Sequence, residues 1–352
     1  MIARGAWAAH LGLLMPDAVP SSTPPHWLRG IVVVLLMLGI LAAAAGALYE
    51  NIFEARDRRF NPMPGRLVDV GGLKMHIDCT GEGSPAVVLD SGLGDSYISW
   101  RKAQPLIAKF SRVCSYDRAG LGYSDPSPRP RTSKNIAEEL HGLLRAAGIA
   151  APYVLVGHSM GGFDVRLYAS LYRSDVAGVV LVDSSHPEQE NRVSPEVGQL
   201  DRSALRVAEL LEFTTPFGVR RLLGLCGGDA ITHAAVCNWQ NARTGVKELR
   251  AFSESASETA ATGSLGGTPL IVLSRDPHKL LHDLSPDLEK RFADTWEKMQ
   301  EELVQISTCG AQVIVKNSGH YIQTDQPEAV AEAARNVVDQ ARSDQAAATA
   351  KR

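Results

Sequence analysis

The stretch from Pro152 to Gly162 limits what this chain can fold into more than any other. Tyr153, Val154, Leu155 and Val156 run directly into Gly157-His158-Ser159-Met160-Gly161, and a helix-compatible segment, Phe163 to Tyr172, follows. Four apolar or aromatic residues, two of them β-branched, predict a buried strand. The glycines then predict a turn so tight that strand and helix meet without side chains between them, with Ser159 at the apex. Strain at that apex lifts the hydroxyl clear of the sheet. The helix that begins there turns its free N–H groups toward whatever the serine attacks. A glycine-rich connection with a capping serine would use similar residues. The strand before the turn and the helix after it favour a nucleophile.

The rest of the chain is compatible with a large globular domain. Hydrophobic residues make up 45% and charged residues 21%, enough for an extensive core, and a net charge of −3 leaves no basic footprint for nucleic acid. The five cysteines contain no C-x-x-C pair, so neither a zinc ribbon nor a thioredoxin-type site is expected. His278 and His282 stand one helical turn apart but lack a convincing third ligand, and no metal or cofactor site is expected.

The strand–turn–helix around Ser159 resembles the nucleophile turn of the α/β-hydrolase superfamily, and the resemblance covers about Arg66 to Arg342. It implies an α/β fold: a mostly parallel eight-stranded sheet with helices on both faces and a mainly helical lid. The other landmarks fall in order. Arg66 to Val70 and Leu73 to Cys79 alternate around Gly71-Gly72 as a β-hairpin. Ala86 to Asp90 is a third strand, ending in Ser91-Gly92-Leu93-Gly94. In the family this loop supplies one backbone donor of the oxyanion hole. Ser91 stands where a histidine is common, but a backbone donor tolerates the change, so Leu93 and Met160 are the implied donors. Arg112 to Tyr116 reads as the next strand, and the Asp117-Arg118 pair after it as a structural brace for its loop. A helix from Thr132 to Ala147 leads into the nucleophile strand, and His158 reads as a packed structural histidine.

Val176 to Asp183 is a continuous apolar strand suited to a sheet buried on both faces. From 186 to about 267 the pattern is helical, and the resemblance implies a lid there. Leu210, Leu211, Phe213, Phe217 and Trp239 are candidates to line an acyl pocket. Pro269 to Ser274 resumes the sheet, followed by Arg275-Asp276. Ala311 to Lys316 is the last strand, and His320 follows it where the family places its general base. Two acids fit. Asp276, after the seventh strand, is preferred by position. Asp183, at the end of the sixth, is the alternative.

The resemblance implies a serine hydrolase that cleaves a carboxylic ester or related acyl bond of an apolar small molecule through an acyl-enzyme, without a cofactor. The serine distinguishes the chain from the superfamily's epoxide hydrolases and haloalkane dehalogenases, which carry aspartate there. A catalytically silent, membrane-tethered binding domain is the competing expectation.

Outside that region, residues 1–27, with Pro16, Pro20, Pro24 and Pro25, read as a disordered lead-in, and 343–352 as a disordered tail. Ile31 to Leu48 is uncharged and of bilayer-spanning length. Residues 28–49 are therefore expected to anchor the chain in a membrane, with 50–65 as a linker. Ala45-Gly46-Ala47 also resembles a signal-peptide cleavage site. Arg29 before the span and Arg56, Arg58 and Arg59 after it favour a cytoplasmic catalytic domain. The cysteines point the other way. In a hydrolase-like sheet the strands holding Cys79 and Cys114 are neighbours, Cys226 and Cys237 close a short loop in the lid, and Cys309 is left over. Such pairs would place the domain in an oxidising, extracytoplasmic compartment, whereas five buried thiols would suit the cytoplasm.

Overall fold

The computed structural model describes residues 25–279 and 285–350, with the backbone alone for residues 197–202 and 204. Most of the expected lead-in (1–24), His282 and the last two residues lie outside the described residues. The chain divides into two units, residues 1–45 and 46–352.

The first described element is helix α1 (His26–Phe60), whose only buried residue is Glu50. It is long and apolar enough to cross a membrane. Residues 50–60 of the expected linker continue this helix.

The second unit is built on one eight-stranded sheet. Gly71 and Gly72, at φ +68° and +93°, turn the chain between β1 (Arg66–Asp69) and β2 (Lys74–Thr80). The remaining strands are β3 (Ala86–Asp90), β4 (Val113–Tyr116), β5 (Tyr153–His158), β6 (Val176–Val182), β7 (Leu270–Arg275) and β8 (Gly310–Val315). Their order is β1-β2-β4-β3-β5-β6-β7-β8; the β1–β2 and β2–β4 pairs are antiparallel and the others parallel. Every residue of β3, β4 and β5 is buried. These strands read as unbroken apolar runs because helices cover both faces of the sheet.

The helices of the body are α2 (Gln104–Ile107), α3 (Ser133–Ala146) and α4 (Gly161–Leu171) before the lid, with α11 (Pro286–Val304), α12 (Ile322–Asp325) and α13 (Pro327–Ala350) after it. On one face Leu140, Leu144 and Tyr168 pack with Leu155 and Leu181. On the other, Val330, Ala334 and Val338 pack with Val154, Val156 and Val180. The expected C-terminal tail is helical as far as Ala350, as the continuation of α13.

Between β6 and β7 lies the lid: α5 (Gln189–Arg192), α6 (Pro195–Thr214), α7 (Val219–Leu222), α8 (Ala230–Val236), α9 (Trp239–Arg250) and α10 (Phe252–Ala260). Two of its helices, α8 and α9, start on side-chain caps: Asp229 accepts from Thr232 N (3.0 Å) and Asn238 from Asn241 N (2.8 Å). Cys226 and Cys237 form a disulfide across this segment, Cys79 and Cys114 another between directly opposed residues of β2 and β4, and Cys309 is free. Of the proposed pocket-lining residues, Leu211 faces a cleft with Leu93, whereas Leu210, Phe213 and Trp239 are exposed.

Candidate active site

Strand β5 and helix α4 meet at Ser159, whose φ of +52° makes it one of three non-glycine residues with positive φ among those described. The turn needs its glycines. A Cβ at Gly157 would lie 2.5 Å from Gly161 O, and one at Gly161 would lie 2.6 Å from Ser91 O. Ser159 is tied to the strand beside it through Ser159 N to Val182 O (3.2 Å) and Ser185 N to Ser159 O (3.0 Å). Its side chain stands at the C-terminal end of the parallel strands, where open α/β sheets bind ligands.

The loop after β3 passes directly against this turn: a Cβ at Gly92 would lie 2.9 Å from His158 Nδ1 and 3.3 Å from Ser159 Cβ. Neither the Leu93 nor the Met160 backbone N–H donates to any group among the described residues, so both expected donors are free. The loop is held from behind. Buried Arg118 donates to Asp90 Oδ1 (2.9 Å), to Ser91 O and to Gly92 O (2.6 Å). Glu248, on lid helix α9, accepts from Arg118 Nε (2.8 Å) and Nη2 (2.9 Å), and from Gly94 N (2.8 Å). The charges around Arg118 are rationed by burial. Desolvation, opposed by Arg118, pushes Asp90 up to about 6, and desolvation with neighbouring Asp90 pushes Asp164 well above the carboxylate range. Asp117 braces its loop as expected, but through His76 Nδ1 (2.7 Å) and the Tyr97 and Tyr123 N–H groups rather than through Arg118.

His320 follows β8, and its Nδ1 lies 2.6 Å from Asp183 Oδ2. Asp183 closes β6 with φ +41° and is completely buried. Four donors converge on its carboxylate: Trp296 Nε1 (2.9 Å) and Arg275 N (3.2 Å) on Oδ1, His320 Nδ1 and Arg275 Nη2 (2.7 Å) on Oδ2. Burial alone would raise its pKa. Arg275, then the His320 and Trp296 hydrogen bonds, outweigh burial and hold it at about 2. Arg275 Nη2 also lies 3.2 Å from His320 Nδ1, a contact that is a hydrogen bond only when that nitrogen is unprotonated, so Asp183 and Arg275 compete for Nδ1.

The preferred acid, Asp276, is therefore corrected. It is a half-buried residue whose carboxylate accepts from Asn317 N (2.9 Å) and His278 N (2.9 Å), and those N–H groups lower its pKa. Its side chain braces the loop that carries His320 instead of meeting the imidazole. The alternative, Asp183, is the acid the fold brings to His320.

Buried His158 approaches His320 through Nε2, 2.9 Å from the His320 carbonyl, and its ring lies 4.6 Å from the His320 ring. Burial and then His320 press its pKa down to about 3, so it is neutral and Nε2 donates. Ser159 Oγ makes no hydrogen bond to His320 in this conformation.

Sequence reasoning missed Arg275, Trp296 and Glu248. Arg275 was visible only as the residue ending β7, and nothing in the local pattern of α9 marks Glu248. Among the described residues, His186, Glu188 and Glu302 bring potential metal ligands within 4.8 Å of one another. Arg192 already contacts both carboxylates, at 3.5 Å and 2.6 Å, which makes the group an ion-pair network.

A mostly parallel sheet with this strand order, a strained serine after β5 and a histidine after β8 define the α/β-hydrolase class. The alpha/beta hydrolase family model matches residues 87–333, and the chain belongs to that family. Its relatives include the uncharacterized protein YqjL of Bacillus subtilis, 28% identical over 71% of this chain and 82% of that protein. Among solved structures, it resembles a thermophilic esterase from Thermogutta terrifontis (21% identity, TM-score 0.55, 78% of this chain and 98% of that one). It also resembles a putative ancestral haloalkane dehalogenase (18% identity, TM-score 0.61, 79% and 99%). At these identities the structural likeness shows the fold alone.

Proposed function

We propose that this hydrolase cleaves carboxylic esters, or closely related acyl bonds, through Ser159, His320 and Asp183. The observation that carries the proposal is the short contact between His320 Nδ1 and the buried, ionised Asp183. An acceptor on Nδ1 keeps the proton there and leaves Nε2 free as a base.

In the proposed reaction Ser159 Oγ rotates toward His320 Nε2, gives up its proton and attacks the acyl carbon. The carbonyl π electrons move to oxygen, and that oxyanion accepts from the Leu93 and Met160 N–H groups. Each such donor typically contributes about 3 kcal/mol of barrier lowering. His320 then returns the proton to the departing alkoxide. A water, deprotonated by His320, attacks the acyl-enzyme, releases the acid and regenerates Ser159. The arrangement of Arg118 and Glu248 supports this reading, since it holds the Ser91 and Gly92 carbonyls and the Gly94 N–H of this loop. A serine at the nucleophile position supports acyl transfer over the displacement chemistry of aspartate-bearing relatives.

We also propose that residues 28–49 anchor the chain in a membrane and that the hydrolase unit faces an oxidising compartment. The apolar α1 supports the first statement, and the two disulfides support the second. Fluorophosphonate labelling of the full-length protein, followed by p-nitrophenyl esters of increasing chain length, tests the chemistry. Labelling at Ser159 and ester turnover are expected; a folded protein that does neither would refute it.

A further inference from the structure

Part of the lid surface is apolar, beside the ion pairs of α6 with α9 (Glu209–Arg250 and Glu212–Arg243). Leu210 and Phe213 on α6, Leu222 on α7, and Leu223 and Leu225 after it are 47–72% exposed. Single exposed apolar residues are ordinary, but a concentration of large ones marks a binding surface. These belong to one connected stretch, in which the Phe213 and Phe217 rings lie 6.3 Å apart.

The same stretch holds the C-terminal part of α1. Gly46 lies directly against the Phe217 carbonyl, with no room for a Cβ, and Gly218, at φ +73°, sits against the Tyr49 ring. Arg221 donates to Glu50 (3.1 Å) and to Asp57, beneath the Phe53 ring. Glu50 is the first charged residue after Arg29 and is only 5% exposed. The uncharged run of the chain thus ends against the lid, and the first charge beyond it is neutralised by a lid arginine.

The lid also roofs a cleft of about 340 Å³ whose floor is Leu93 and Gly94 and whose walls include Leu211, Leu225 and Val246. Leu225 belongs both to this cleft and to the exposed apolar rim. The cleft beside the oxyanion loop therefore meets the exposed apolar residues at Leu225.

We infer that Leu210, Phe213, Leu222, Leu223 and Leu225 seat in the surface of a lipid bilayer, so that an apolar acyl substrate enters the cleft directly from lipid. This rests on the anchor and hydrolase readings above. The occupant is a bilayer because Gly46 and Tyr49, where an uncharged run of bilayer-spanning length in the sequence ends, pack against this stretch.

The test uses the full-length chain in phosphatidylcholine nanodiscs, with Cys309→Ser removing the free thiol. An environment-sensitive fluorophore is attached in turn at Phe213→Cys, Leu210→Cys, Leu38→Cys and Lys290→Cys. Replacing the lipid by its acyl-brominated form should quench the 213, 210 and 38 labels at least twofold and leave the 290 label unchanged. Quenching at 38 with water-like emission at 210 and 213 would overturn the docking proposal while sparing the anchor. Labels at 210 and 213 that are shielded but unquenched would assign the face to a second protein surface and overturn it equally. No quenching at 38 would remove the anchor and the proposal together. The readout needs no turnover, and fluorophosphonate labelling of the same samples reports separately on the hydrolase reading.

Discussion

Replacing Asp183 by asparagine removes one charge and leaves the shape nearly intact, yet its effect on His320 follows from the four donors around the carboxylate. Oδ1 faces the Trp296 indole N–H and the Arg275 backbone N–H; Oδ2 faces His320 Nδ1 and the Arg275 guanidinium. An asparagine must present its NH₂ to one of these pairs. Of the four groups only His320 can become an acceptor, by moving its proton to Nε2. The NH₂ therefore settles toward His320, and the imidazole is locked in the tautomer that cannot take a proton from Ser159. The same wrong-tautomer effect costs about 10⁴ in kcat in the best-studied triad, or about 5.5 kcal/mol of barrier. Stability falls less. A shift from 3.8 to about 2 is worth roughly 2 kcal/mol at neutral pH. Steady-state hydrolysis of a p-nitrophenyl ester beside a thermal melt separates the two effects. Asp276→Asn is the control: its carboxylate accepts only backbone N–H groups, and kcat should stay within about tenfold. A folded Asp183→Asn enzyme keeping a tenth of wild-type kcat, with Asp276→Asn inactive, would overturn the assignment.

Ser159→Ala should abolish ester turnover and fluorophosphonate labelling with an unchanged far-UV spectrum; wild-type turnover by this variant would end the nucleophile assignment. Glu248→Gln sets an NH₂ against a donor of Arg118 or the Gly94 N–H, so the melting temperature should fall. If α9 positions the oxyanion loop, kcat should fall more than KM changes, whereas a purely structural role would leave kcat per folded molecule intact. Because the Asp183 pKa is depressed, its stabilisation is present above about pH 3.8 and is lost as pH falls toward 2. The stability gap between wild type and Asp183→Asn, measured by denaturant titration, should accordingly narrow below pH 4. Non-reducing peptide mapping of protein purified from its native membrane should recover Cys79–Cys114 and Cys226–Cys237; five free thiols would remove the argument for an oxidising compartment.

Features that depend on nearest neighbours along the chain were legible in the sequence. The Gly157–Gly162 turn is forced by close backbone approach, so its residues announce it. The apolar strands, the Gly71-Gly72 hairpin and the apolar run within α1 follow from periodicity and hydrophobicity, which are local properties. His320, in the loop after the last strand, was marked by the resemblance to the family. Which aspartate meets His320 was decided by tertiary structure. Asp183 and Asp276 both end strands, and the side-chain direction that sends one to His320 and the other to the backbone of Asn317 is set by backbone dihedrals and packing against Trp296. The same holds for Glu248, 130 residues from its Arg118 partner, and for the outward-facing Leu210 and Phe213. A hydrophobic residue on a helix announces that some face is apolar, but only the packed fold determines whether that face meets the core, a substrate or a membrane.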